Sequence, residues 1–124
     1  DFTSQTEALS HLCRAVGALL AREKTSLTVI ICRFKHEAET VYAALKGLPG
    51  VRLQTADLSF EPGILITNTH QVKGLEFSGV ILWNPAQQSY PATDLGKNLL
   101  YVAITRASER LAIYHHQPLS DLFA

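Results

Sequence analysis

The residues with the most chemistry to offer fall in two short stretches. The first runs Thr67-Asn68-Thr69-His70-Gln71-Val72-Lys73-Gly74-Leu75-Glu76-Phe77. Lys73 supplies a point charge suited to phosphate. Gly74 permits a tight turn or a close backbone approach. Glu76 is an acceptor for a sugar hydroxyl, and Thr69 and His70 are donors for an oxyanion. The stretch is not a GxxxxGK[ST] phosphate loop, and none occurs anywhere in the chain. Taken alone, the same residues also fit an ordinary polar loop after a strand.

The second stretch is Asn98-Leu99-Leu100-Tyr101-Val102-Ala103-Ile104-Thr105-Arg106-Ala107-Ser108-Glu109-Arg110-Leu111. Leu99, Val102, Ala103 and Arg106 fall on adjoining helical positions. A planar, permanently charged guanidinium held by a rigid helix suits a phosphoryl group in transit. A surface arginine in a salt bridge is the other reading of Arg106.

The elements that must position these stretches follow from periodicity. Residues 4–22 carry apolar side chains at helical spacing, with Thr3 or Ser4 as cap and Glu7 completing a capping box. Residues 27–32 form a continuous β-branched run, the pattern of a strand buried on both faces. A helix is predicted over 35–46, stopped at Gly47. Val51 to Leu53 is a short strand, and Glu61-Pro62-Gly63 a turn. Strands follow at 63–67 and 79–83, then a loop over 84–93. A helix over 95–109, a strand over 110–114 and a short terminal helix over 118–123 complete the chain. This order predicts an α/β layer fold, a mostly parallel sheet flanked by helices. Ligands in such folds sit at the carboxyl ends of the strands. That rule directs attention to Arg33, to residues 68–77 and to 84–98.

Composition narrows the function classes. The chain has 124 residues, 47% hydrophobic and 18% charged, enough to bury one core. Eleven basic residues balance eleven acidic ones, which excludes grip on nucleic acid through bulk positive charge but allows a local patch. No apolar run approaches the ~20 residues of a membrane span. Cys13 and Cys32 match no zinc or CxxC spacing and read as reduced core thiols. His115 and His116 read as a solvated strand end, and no metal site is expected. The sequence contains no methionine and opens at Asp1, so a single domain over residues 1–124 of a larger protein is expected.

Together the two stretches resemble a known family. His70 to Phe77 looks like motif V, and Leu99 to Ala107 like motif VI, of the UvrD-like superfamily 1 DNA helicases. The resemblance reaches from about Leu27 to Tyr114. It implies the second, C-terminal RecA-like motor domain, a three-layer α/β fold. Three places depart from the family's usual pattern: Asn68 stands where Thr is common, Cys32 where Tyr is common, and the Gly96-Lys97-Asn98 segment where acidic residues are common.

The resemblance implies the following roles. ATP and Mg2+ would be held mainly by a first RecA-like domain outside this sequence. Arg106 would be the arginine finger of motif VI and Arg33 the arginine of motif IV, both catalytic. Glu76 would bind the ribose, with Lys73 and Gly74 shaping the same loop. His70, Thr69 and Asn68 would contact single-stranded DNA. Lys35, His36, Gln71, Lys97 and Asn98 are further candidates by position, and Trp83 and Tyr90 could stack on bases. Arg33, Glu76 and Arg106 should therefore converge on one edge, and with a separation beyond ~15 Å the motor reading would fail. The isolated chain, without a phosphate loop, should be inactive, and the parent should be cytoplasmic and nucleoid-associated. The alternative is a stand-alone interaction or regulatory module derived from a helicase domain.

Overall fold

The computed structural model describes residues 4–22, 27–54, 63–69, 77–86 and 88–123. The elements are α1 (Gln5–Arg22), β1 (Leu27–Cys32), α2 (Lys35–Leu45), β2 (Val51–Leu53), β3 (Gly63–Asn68), β4 (Phe77–Trp83), α3 (Asp94–Ile104) and β5 (Ala107–Tyr114), closed by a 3-10 turn over Asp121–Phe123. The strands form one sheet in the order β2-β3-β1-β4-β5, and every neighbouring pair is parallel.

Alternation along the strands divides the core in two. Ile30 and Cys32, Ile64 and Ile66, and Ile81 and Trp83 face α1 and α2, where they meet Leu12, Val16, Val41 and Leu45. Val29 and Ile31, Leu65, and Val80 and Leu82 face the other way, against Leu100 and Ala103 of α3. Strands covered on both faces are apolar at nearly every position, which is why β1 reads as a hydrophobic run broken only by the β-branched Thr28. The expected three layers are thus present.

Helix starts follow the capping chemistry. Ser4 Oγ accepts the Glu7 N–H at 3.1 Å, and Thr93 Oγ1 accepts the Gly96 N–H at 3.1 Å. At α2 the cap residue is Phe34, which has no acceptor; Glu37 Oε1 reaches back to the Phe34 N–H at 3.2 Å. Helix α2 ends at Leu45, but Gly47 is not its left-handed stop: among the described residues the positive-φ glycines are Gly50 and Gly63. They are needed where β2 meets β3. Ile64 N–H donates to Gly50 O at 2.9 Å, and a Cβ on Gly63 would strike that same carbonyl. The predicted 61–63 turn lies, apart from Gly63, outside the described residues.

One boundary differs in a way that matters. The helix expected to reach residue 109 stops at Ile104, and β5 starts at Ala107 rather than 110. Two interactions end it. Thr105 turns its hydroxyl back onto Tyr101 O at 2.7 Å and Val102 O at 3.2 Å, and the Phe77 N–H captures the Arg106 carbonyl at 2.7 Å. Parallel pairing with β4 overrides the helical periodicity of Ala107 to Glu109. A register shift between Phe77 and Gly79 accommodates the extra β5 residue. Arg106 therefore sits in a two-residue corner, not on a helix.

Candidate functional site

The parallel register fixes which candidates meet. β4 begins at Phe77, level with Ala107 of β5, so Arg106 and the end of the first chemical stretch share the amino edge of the sheet. β1 ends at Cys32, so Arg33 lies at the carboxyl edge. Thr28 pairs with Gly79, which sets Arg33 about eight residue steps from Arg106, or roughly 25 Å along the strands. Arg33 and Arg106 do not converge. This corrects the expectation that both reach one phosphate, and the expectation that the chemistry collects at the carboxyl ends alone. By the ~15 Å criterion the motor reading fails as framed on three converging residues; the junction between Phe77 and Arg106 is a separate observation that does not involve Arg33.

At the amino edge, Arg106 Nη2 donates to Thr105 Oγ1 at 3.0 Å. The Thr105 hydroxyl spends its own proton on the carbonyls behind it, so its oxygen is free to accept. The Arg106 Nε is buried and has no hydrogen-bond partner among the described residues. A buried guanidinium N–H without a protein acceptor suits an anionic ligand oxygen. His70, Lys73, Gly74 and Glu76 lie outside the described residues, although Glu76 directly precedes Phe77 in the chain.

The carboxyl edge is built differently. The Arg33 guanidinium lies over the Phe34 ring, 4.5 Å from its centroid, and Phe34 stacks on His36 at 5.5 Å and 11°. Asn68 closes β3 half-buried. Thr69, expected on the DNA track, is 1% exposed. Its hydroxyl donates to Cys32 O at 3.3 Å and lies 2.9 Å from the Tyr90 hydroxyl. One hydroxyl has one proton, so the Tyr90 phenol must be the donor in that second bond. Tyr90 is 0% exposed and Trp83 is 1% exposed, so neither side chain can stack on a base from this position. Burial also pushes the Tyr90 phenol well above its usual range. The sequence carried a hint of this role: Tyr90 follows a loop of small polar residues, where a large aromatic is a natural plug.

A second polar cluster escaped the sequence reading. Beyond the ends of β1 and β4, His36, Glu37, Asn84, Gln88, His116 and Gln117 surround a cavity of about 280 Å³. Asn84 is buried with φ 45°, a left-handed conformation that Asn tolerates better than most residues. Its Oδ1 accepts the His116 and Gln117 N–H groups at 3.2 Å each, and its Nδ2 donates to Gln117 Oε1 at 2.9 Å. Desolvation raises the Glu37 carboxyl from its ordinary value, opposed by the Phe34 N–H and nearby cations. Burial, with His115 alongside, lowers His116. Among the described residues, no group of three His, Cys, Asp or Glu side chains is arranged to hold a metal, and no helix is long and apolar enough to cross a membrane.

The fold and the amino-edge junction define an α/β domain of the RecA-like class, with helices on both faces of a parallel sheet. Residues 63–114 match the family described as the UvrD-like helicase C-terminal domain. The match runs from the start of β3 to the end of β5 and contains both chemical stretches. The crystal structure of the C-terminal domain of a possible DNA helicase from Lactobacillus plantarum WCFS1 aligns with a TM-score of 0.82 at 28% identity, over 99% of this chain and 75% of that one. Comparison with curated proteins finds no match.

Proposed function

We propose that this chain is the second motor domain of an ATP-dependent, UvrD-like DNA helicase or translocase, with Arg106 as its arginine finger. The observation that carries the reading is the Phe77-to-Arg106 hydrogen bond. It sets Phe77, the last residue of the stretch that resembles motif V, beside Arg106, whose buried Nε has no hydrogen-bond partner among the described residues. ATP would lie between that edge and a first RecA-like domain of the same polypeptide, which would hold Mg2+ and supply the phosphate loop. The metal would neutralise charge on the β- and γ-phosphates. Arg106 would meet the charge that spreads over the transferred phosphoryl group. Glu76, with Lys73 and Gly74 in the same loop, would take the ribose, and His70 would relay to the DNA side. Single-stranded DNA would cross the carboxyl edge near Asn68. Thr69 supports that edge from inside rather than touching the strand, and Arg33 belongs to the same edge, away from the phosphates.

One guanidinium suffices for a finger, so the reading does not need Arg33 at the nucleotide. The test is steady-state ATP hydrolysis by the full helicase polypeptide and by this chain alone. The full polypeptide should turn over ATP with stimulation by single-stranded DNA, and Arg106→Ala should abolish most of it. The isolated chain should show none. Turnover by the isolated chain, or an Arg106→Ala enzyme of normal rate, would sink the proposal.

A further inference from the structure

The proposed phosphate chemistry leaves the lateral edge of the sheet along β5 unused. β5 is the last strand in the order, and among the described residues no strand pairs with its outer side. The Tyr114 carbonyl accepts the Asn84 N–H, so Tyr114, and Ala112 two residues before it, turn their backbone groups toward β4. The N–H and C=O groups of Leu111 and Ile113 therefore point to the open side. Natural sheets blunt such edges with shortness, charge or proline. The opposite edge strand, β2, has three residues. β5 has eight, and Leu111 to Ile113 carries neither a charge nor a proline. Leu111 and Ile113 are also 41% and 36% exposed.

A groove lies beside this edge on the α1 face. Ala112 and Tyr114 pair with Ile81 and Trp83, which face α1, whereas Leu111 and Ile113 pair with Val80 and Leu82, which face α3. A cavity of about 200 Å³ runs between α1, at Leu19, and this part of β5. Its two ends differ. One holds Arg22, the last residue of α1, and Arg110, both exposed. Gly79 seats the second guanidinium: a Cβ there would lie 3.4 Å from Arg110 Nη2 and 3.0 Å from Thr28 Oγ1. The other end reaches Tyr114, four residues or about 13 Å further along the strand. Between them the walls are apolar, with Leu19 on one side and Ala112 on the other.

An open strand edge takes an extended backbone, and a groove with guanidinium groups at one end takes a carboxylate there. A free anion would leave the apolar walls and the strand edge uncovered. We propose that β5 and this groove dock an extended peptide segment of a partner protein, added antiparallel to β5, with an acidic residue facing Arg110 and Arg22. Antiparallel pairing is the more stable kind per residue, and it lets two peptide residues exchange bonds with Leu111 and Ile113. Those two peptide side chains fall on the α3 face, where apolar ones cover Leu111 and Ile113. The residue between them turns onto the α1 face and enters the groove over Ala112. The next residue toward the peptide's carboxyl end stands opposite Arg110, and there a carboxylate meets both guanidinium groups. The recognised pattern is three apolar residues followed by Asp or Glu.

The probe is the acetylated, amidated peptide Thr-Val-Leu-Val-Asp-Thr-Lys, titrated into the 124-residue chain and followed by amide NMR. Saturable shifts at Leu111 and Ile113 are expected, with a Kd on the order of 10⁻⁴ M because so short a segment must be ordered on binding. Hydrogen exchange at the same two amides should slow at saturation. The peptide with Lys in place of Asp, and the peptide methylated on the backbone nitrogen of its second Val, should each bind at least about tenfold more weakly. Arg22 and Arg110 are exposed, so the double variant Arg22→Ala with Arg110→Ala tests the charges without threatening the fold, and a loss of at least about tenfold is expected. Ile113→Pro removes an outward N–H without costing the sheet a bond and should abolish binding. No saturable shift at millimolar peptide, equal binding of the lysine peptide, or indifference to these substitutions would overturn the inference. So would shifts at Leu111 and Ile113 that follow protein concentration alone, which would give the edge to a second copy of this chain. No arm measures ATP hydrolysis, so this result and that of the motor reading stand apart.

Discussion

The Phe77 N–H and the Arg106 carbonyl are 2.7 Å apart, and this one backbone bond closes the corner between α3 and β5. It places Arg106 beside Phe77, the last residue of the stretch that resembles motif V, at the opposite end of the sheet from Arg33. Removing the Arg106 side chain leaves that backbone bond and the Thr105 cap in place. If the proposed motor role holds, Arg106→Ala should lower ATP turnover of the parent polypeptide by roughly 10³-fold or more with little change in thermal midpoint. Arg33→Ala should leave turnover within a few-fold of wild type, because its guanidinium is engaged over Phe34. Parallel rate measurements decide it; comparable losses for both variants would put Arg33 back at the nucleotide.

Thr69 and Tyr90 form a buried pair with a fixed direction of donation. Tyr90→Phe deletes the donor and leaves an acceptor unfilled, at a cost of about 1 kcal/mol. Thr69→Val strands both the Tyr90 hydroxyl and the Cys32 carbonyl, so it should cost more, up to about 3 kcal/mol. Urea unfolding of both single variants and the double variant should give a coupling above about 0.5 kcal/mol. Additive effects would mean that the two hydroxyls do not exchange a hydrogen bond.

Much of the fold could be read from the chain because the strands are buried on both faces. Leu27 to Cys32 is apolar except for the β-branched Thr28, and all of β1 after Leu27 is buried. The corner at Thr105 is hidden in the sequence for a physical reason: Ala107, Ser108 and Glu109 continue the helical pattern, and only pairing with a strand thirty residues earlier pulls them straight. The burial of Thr69 and Tyr90 is hidden for a related reason. A hydroxyl in a polar stretch looks solvated until the aromatic that covers it is known. The cavity around Glu37 and Asn84 joins five separate segments, so no local spacing could announce it.

Gly96 lies in the first turn of α3, where alanine would ordinarily be the better helix former by about 1 kcal/mol. Here the local geometry reverses that rule. A Cβ on Gly96 would collide with Pro91 O and come within 2.9 Å of the Pro91 carbonyl carbon, which is backbone and cannot swing aside. Gly96→Ala should therefore destabilise the domain by about 3 kcal/mol rather than stabilise it. It should also shift Thr93, whose hydroxyl caps the Gly96 N–H. A melting curve at or above the wild-type midpoint would show that the Pro91 turn yields more easily than its packing indicates.

Glu37 and His116 face the same cavity and lose charge in opposite pH directions, which makes their contributions separable. The Glu37 carboxyl is raised above its ordinary value of 4.5, so the folded state holds its proton more tightly than the unfolded chain. Stability linked to Glu37 is complete below that ordinary value and falls as pH climbs through the raised one. The His116 imidazole is lowered from 6.5, so the unfolded chain binds the extra proton. Stability linked to His116 is complete above 6.5 and falls as pH drops through the lowered value. Glu37→Gln, which keeps the Phe34 acceptor and never ionises, should remove the first slope and become more stable relative to wild type as pH rises from 4 toward 7. His116→Asn should remove the second slope and leave the first. Urea unfolding across that interval measures both, and a Glu37→Gln profile parallel to wild type would mean that the carboxyl is not desolvated in the folded protein.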